Sequence, residues 1–170
     1  MTKEQSNVKQ FMQTFGQATP DKPTIPDEKT RVLRVKLLLE EVLELAEASG
    51  VKITSEIPKG EQVTGGNLYF STNDDEVNLV GVADALADID YVNQGAAVAY
   101  GLDLEPFCEE VHSSNMTKLW SLADLNLMPP DHTSVAKGDK YLVRRPDGKV
   151  VKAPSYRPAD LASVLAKQTA

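Results

Sequence analysis

One cysteine, two histidines and a single tryptophan in 170 residues leave little of the chemistry on which many small proteins rely. A lone Cys108 excludes an intramolecular disulfide, and no Cys and His residues have the spacing of a structural zinc site. Long apolar runs are missing too. No stretch reaches the roughly 18 residues of a membrane span, and Met1 to Phe15 carries charges and amides where a secretory signal needs an apolar core. These absences predict a soluble, cytoplasmic protein with no membrane partner. Basic charge is also scarce: 18 Lys and Arg stand against 25 Asp and Glu, a net charge of −7. Such a surface repels a nucleic-acid polymer. A small phosphorylated ligand is still compatible with it, because carboxylates attract a divalent cation and the cation carries phosphates.

The length fits one domain, residues 1–170, with a helical core over about 4–122 and a C-terminal extension over 123–170. Val8, Phe11, Met12 and Phe15 have helical spacing, and Gly16 closes that segment. Pro20, Pro23 and Pro26 forbid a helix, after which Asp27 caps a second one running without Gly or Pro to Ser49. Its Val35, Leu38, Leu39, Val42, Leu45 and Ala46 form the expected core stripe, and Gly50 stops it. Residues 51–73 alternate and then carry glycines, which suits a small hairpin or an ordered loop. A third helix is expected from Asp74 or Asp75 to Tyr100, with Val77, Val80, Leu86, Ile89, Val92 and Ala96 as core and Gly81 and Gly95 at points of close packing. A fourth spans about Leu104 to Leu122, with Phe107, Val111, Leu119 and Trp120 on its apolar side and Cys108 as buried filler.

In the tail, Tyr141 to Arg145 faces Gly148 to Lys152 across a Pro-Asp-Gly turn, and Asp160 to Lys167 forms a last short helix. The fold class is all-α, four to five helices with a small β-hairpin near the C-terminus. The apolar faces of two long helices are hard to bury within one subunit, so pairing of two copies into a homodimer is expected.

Chemistry concentrates in the acidic residues. An advance of about 100° per residue puts Glu40, Glu44 and Glu47 on one stripe of the second helix, with Glu41 at its edge. Like charges at i and i+4 cost an isolated helix about 0.2–0.5 kcal/mol per pair, so a cation between them gives the arrangement sense. Magnesium, a hard cation that bridges carboxylates to phosphates, is the natural candidate. Glutamates also make ordinary solvated helix faces, and the cluster alone does not exclude that. On the third helix Asp84 and Asp88 share a face while Asp90 points elsewhere; aspartate is a poor residue for a helix interior, which weighs toward a role. Antiparallel packing of the two helices would bring both sets to one site. Asn115 and Lys118, at i and i+3, offer an amide and an ammonium suited to phosphate oxygens and a sugar or base edge, and equally suited to an exposed surface. His112 reads as a surface residue and His132 as a loop residue without a partner.

Taken in order, Glu40-Glu41-Val42-Leu43-Glu44-Leu45-Ala46-Glu47-Ala48, then Ala83-Asp84-Ala85-Leu86-Ala87-Asp88-Ile89-Asp90-Tyr91 with Gly101-Leu102-Asp103-Leu104, then Glu110 to Leu119, resemble the all-α nucleoside triphosphate pyrophosphohydrolases. That superfamily includes MazG-like enzymes, dimeric dUTPases and phosphoribosyl-ATP pyrophosphohydrolase. The ending Gly148 to Tyr156 resembles the phosphoribosyl-ATP branch, and the resemblance spans about residues 8–161.

It implies a MazG-like helical bundle in which an EExxE motif and an ExxD motif hold magnesium, or manganese in its place, at a triphosphate. The first motif falls on Glu40, Glu41 and Glu44. The second departs from the pattern, because Ala85 stands three residues before Asp88 and Gly81 three before Asp84; Asp84 is taken to supply the missing acid. Residues 49–80 between the motifs are longer than in the smaller relatives.

The implied reaction is hydrolysis of a (deoxy)nucleoside triphosphate between its α and β phosphates, to a monophosphate and pyrophosphate. Glu40 or Glu41 would take the proton of the attacking water, and Lys118 and Asn115 would contact phosphate and sugar. A homodimer is implied, with a tetramer as the larger form. Phosphoribosyl-ATP is the second substrate reading, and a non-catalytic metal- or partner-binding helical dimer is the reading outside enzymology.

Overall fold

Thr2, Asp27 and Asn78 each accept a backbone N–H from the first turn that follows, from Gln5, Thr30 and Gly81 respectively, and so begin the three helices of the N-terminal half. In the computed structural model, which describes residues 1–58, 60–73 and 76–169, these are α1 (Lys3–Thr14), α2 (Glu28–Ala48) and α3 (Leu79–Ala99). Each ends two residues before a glycine, Gly16, Gly50 or Gly101, in the left-handed region. At Gly101 the requirement is double: φ is 65°, and a Cβ there would run into the carbonyl of Lys22. The proline-rich segment crosses close to the end of α3, where Thr24 N donates to Tyr100 O at 2.9 Å.

The chain divides into two compact units, Met1–Leu102 and Asp103–Ala170. In the first, α3 packs on both α2 and α1. Val8 and Met12 of α1 form a core cluster with Val98 and Ala99 of α3, and the buried Gln5 donates to the carbonyl of Leu102. Between α2 and α3 lies an antiparallel hairpin, β1 (Val51–Ser55) and β2 (Leu68–Thr72), in the register Ile53 to Phe70. Of the small hairpin and the ordered loop that suit this stretch, the pairing of β1 with β2 is that of a hairpin.

Two expectations for this unit need correction. Asp74 and Asp75 lie outside the described residues, and 76–78 are not helical: Asn78 N donates to Ala48 O at 2.9 Å, which holds the chain extended until its side chain caps α3. The expected core stripes are also displaced. On α2, Leu38, Leu45 and Ala46 are half-buried while Val35 (67% exposed), Leu39 and Val42 lie open, and the one buried residue is Arg34. Val77, ahead of α3, and Val80 and Leu86 on it are exposed, Ile89, Val92 and Ala96 are half-buried, and Ala85, Gly95, Ala97, Val98 and Ala99 are buried. Small residues let the helices approach closely, so each buries the small or polar side of its surface and leaves the bulkier stripe uncovered.

The second unit holds α4 (Leu104–Met116), β3 (Thr133–Lys137), β4 (Lys140–Arg144) and α5 (Leu161–Thr169). α4 stops short of Leu122, since Thr117 Oγ1 donates back to Ser114 O at 2.7 Å and Trp120 leaves the helix. Trp120 exchanges two backbone hydrogen bonds of 2.8 Å with Tyr141, its Nε1 donates to Val151 O, and its ring is buried with Val143 and Ala153. That core stabilises more than continued amphipathic helix would. β4 pairs along its length with β3, not with 148–152, which contribute a bridge from Val150 to Arg144 and a bond from Val151 N to Val143 O. Cys108 is exposed rather than buried, and His132 does have a partner, Asp131 Oδ1 at 2.8 Å. The protein is mostly helical, as expected; among the described residues there are five α-helices, with two small antiparallel two-stranded sheets where one hairpin was expected. Among the described residues no helix is long and apolar enough to cross a membrane.

Candidate active site

Two close contacts define how α2 meets α3. A Cβ added at Gly81 would lie 3.2 Å from Ala48 Cβ, and one at Gly95 would lie 3.1 Å from Arg34 Nη1. Fourteen residues separate Arg34 from Ala48, and fourteen separate Gly81 from Gly95, so the helices run antiparallel with one register. The midpoints are Glu41 and Asp88, which therefore stand opposite each other. Both helices repeat contact positions at seven-residue spacing, about two turns.

This register makes Glu41 the centre of the acidic group. Its carboxyl is held above the usual range, first by loss of solvation and then by repulsion from Glu44, Asp88, Glu40 and Asp84 in that order. Residue Glu41 is half-buried, and its Oε2 is shielded from solvent with no hydrogen-bond partner. An orphaned carboxylate oxygen among four other carboxylates is costly unless a proton or a cation meets it. Five hard oxygen donors suit a hard divalent ion. Among the described residues, however, no three His, Cys, Asp or Glu side chains are drawn together into a ready-made cage. The surroundings of the other carboxylates differ. Glu40 Oε1 is 3.3 Å from Lys36 Nζ, while Glu44, Asp84 and Asp88 are exposed.

On the helical wheel Glu40, Glu44 and Glu47 form the stripe with Glu41 at its edge; across the α2–α3 contact it is Glu41 that stands opposite Asp88. The legible signal was the heptad spacing Gly81, Asp88, Gly95, with an acid midway between two glycines. Asp90 is turned to its own helix, accepting from Gln94 Nε2 at 3.2 Å. Ala85, where the second motif calls for an acid, is 3% exposed and lies four residues from Gly81 on the inward face. Asn115 and Lys118 belong to the second unit: Asn115 is exposed on α4, and Lys118 lies in the turn after the helix, half-buried, its N–H donating to Asn115 O at 3.1 Å. The i, i+3 relation expected of a continuous helix is thus made by a turn.

Residues 8–115 match the family model of phosphoribosyl-ATP pyrophosphohydrolase. The match runs from Val8 within α1 through both acidic helices to Asn115 of α4, and it makes the chain a pyrophosphohydrolase, an enzyme of phosphoanhydride bonds. Within that class the chain belongs to the phosphoribosyl-ATP pyrophosphohydrolase family, a member of the all-α nucleoside triphosphate pyrophosphohydrolase superfamily. The family implies a nucleotide substrate and is typically metal-dependent. No curated protein matches the chain.

Proposed function

We propose that this chain cleaves the α–β phosphoanhydride of a nucleotide and releases pyrophosphate, using magnesium, or manganese, held by Glu40, Glu41, Glu44, Asp84 and Asp88. The observation that carries this is the shielded, unpartnered Oε2 of Glu41, opposite Asp88 and repelled by four carboxylates. Bound there, magnesium would neutralise the phosphate chain and lower the pKa of a coordinated water. Glu44, Asp84 and Asp88 hold their carboxylates at the rim, where they can turn toward an ion without breaking a burial contact. Glu40 or Glu41 accepts the proton of the attacking water. The resemblance assigns phosphate and sugar contacts to Lys118 and Asn115, whose ammonium and amide suit them.

Phosphoribosyl-ATP, the second substrate at the level of sequence, moves ahead on the family match. Ordinary (deoxy)nucleoside triphosphates form the second reading, through the wider superfamily of which the family is a member. The chain acts as a homodimer, or a tetramer built from it, because Val32, Val35, Leu39 and Val42 leave an apolar stripe on α2 uncovered.

The test is pyrophosphate release from phosphoribosyl-ATP and from a panel of ribo- and deoxyribonucleoside triphosphates, each with magnesium and with EDTA. Magnesium-dependent release from phosphoribosyl-ATP alone is the expected result, and release from one triphosphate instead supports the second reading. Silence across the panel, in protein shown to be folded, contradicts both and leaves a binding module.

A further inference from the structure

The first unit contains a buried charge with no counter-ion among the described residues. Arg34 is 8% exposed, and its guanidinium reaches neutral acceptors: Nη2 donates to Gln17 Oε1 at 2.7 Å and to Met12 Sδ at 3.6 Å. Its Nε is shielded from solvent and has no partner, and among the described residues no carboxylate pairs with the guanidinium. The absence of a side chain at Gly95 is what lets Nη1 lie against α3. Burial holds the guanidinium below its ordinary value, as expected of a cation without a counter-ion.

Arg34 lines an open cleft of about 570 Å³. Gln17, Thr24 and Thr30 give this cleft polar walls, Pro20, Pro26 and Leu33 give it apolar ones, and it sits at the N-terminal end of α2. That end of a 21-residue helix carries partial positive charge. The one acidic lining residue, Asp27, is exposed and has its carboxylate engaged by Thr30 N at 2.7 Å, so its charge sits at the rim.

We propose that this cleft is an oxyanion-binding site, which takes a small ligand with its phosphoryl or carboxylate group against the Arg34 guanidinium and its body on Pro20, Pro26 and Leu33. A guanidinium fork matches such groups in shape and charge. Arg34 lies seven residues from Glu41, about 10.5 Å along the helix axis, so the two sites cannot hold the same phosphorus. The inference therefore stands or falls apart from the proposed reaction.

The test uses the whole protein in EDTA, with ionic strength kept constant by chloride. Sodium phosphate and, separately, sodium succinate are titrated while the thermal midpoint and the Arg34 Nε–H resonance are followed. The expected result is a saturating rise in midpoint, with the Nε–H resonance moving over the same concentrations. A response to phosphate alone identifies the phosphoryl source, and a response to succinate alone the carboxylate source. Lys118→Ala should keep the response and Arg34→Met should lose it. If neither anion moves the Nε–H resonance of the wild type, or if Arg34→Met responds as the wild type does, the proposal is overturned. The wild-type titration decides the matter should Arg34→Met fail to fold.

Discussion

Gly81→Ala probes the contact that sets Glu41 opposite Asp88. The added Cβ would lie 3.2 Å from Ala48 Cβ and 2.9 Å from Asn78 Nδ2, whereas carbon atoms rest at about 3.5–4.0 Å. α2 and α3 must part by several tenths of an ångström, or α3 must slide. Overpacking of this kind costs about 1–3 kcal/mol. The Asn78 amide can swing away, but its Oδ1 caps Gly81 N at 3.1 Å, and losing a cap costs about 1 kcal/mol. Against this, alanine gains at most about 1 kcal/mol over glycine in a helix interior. The net expectation is a loss of about 1–3 kcal/mol, or a fall in melting temperature of about 2–12 °C at roughly 2–4 °C per kcal/mol. Activity should fall about tenfold, because a misplacement near 1 Å at the reacting groups costs up to about 100-fold. Circular-dichroism melts and pyrophosphate-release rates are compared with Gly65→Ala, whose Cβ would meet nothing within 4 Å and which should stay within about 0.5 kcal/mol of wild type. If Gly81→Ala melts above the wild type, as helix propensity alone would have it, the close α2–α3 contact is refuted.

Glu44→Ala and Asp88→Ala should each abolish turnover while leaving the far-ultraviolet spectrum unchanged; undiminished rates in both would remove these carboxylates from the site. Ala85→Glu places an acid where the second motif has one, at a buried position, so it should lower the melting temperature in EDTA and gain more from magnesium than the wild type does, and an equal magnesium shift would count against the shared site. Trp120→Ala should cost about 3–5 kcal/mol, read by urea unfolding, because it empties the core shared with Val143 and Ala153 and leaves Val151 O without its donor; a loss below about 1 kcal/mol would show that this core is not what ends α4. Glu110 is held below its ordinary value by the Arg157 guanidinium and then by the Asp160 N–H, so it adds stability above the unfolded value of 4.5 that is lost as pH falls through and below it. Glu110→Gln should flatten the acid side of the urea midpoint against pH, and an unchanged slope would contradict this assignment.

Legibility followed the range of the interactions. The helix start at Asp27 and the stops at Gly16, Gly50 and Gly101 depend on residues a few positions apart, and such signals are visible in a linear chain. The faces of α2 and α3 were harder to read, because apolar periodicity points to the bulkiest stripe and the chain buries the side where Gly81, Ala85 and Gly95 permit approach. The end of α4 depends on Trp120 meeting Tyr141, 21 residues away, which no helical wheel contains. β3 escaped notice because all five of its residues are exposed, with no alternating apolar face to announce it. The acidic residues themselves were named from their motifs, while the central place of Glu41 required the register between two helices. Arg34 went unmarked because an arginine in an amphipathic helix looks like surface until its burial is known.

The central claim is that the Glu41 carboxylate group directs water to the α phosphorus of a nucleotide. Hydrolysis in ¹⁸O-labelled water, with phosphoribosyl-ATP or the best triphosphate and magnesium, tests this by locating the label in the products by mass spectrometry. The account predicts one ¹⁸O in the monophosphate product, none in the pyrophosphate, and no turnover by Glu41→Gln. Label in pyrophosphate, release of orthophosphate, or an unimpaired Glu41→Gln would contradict it.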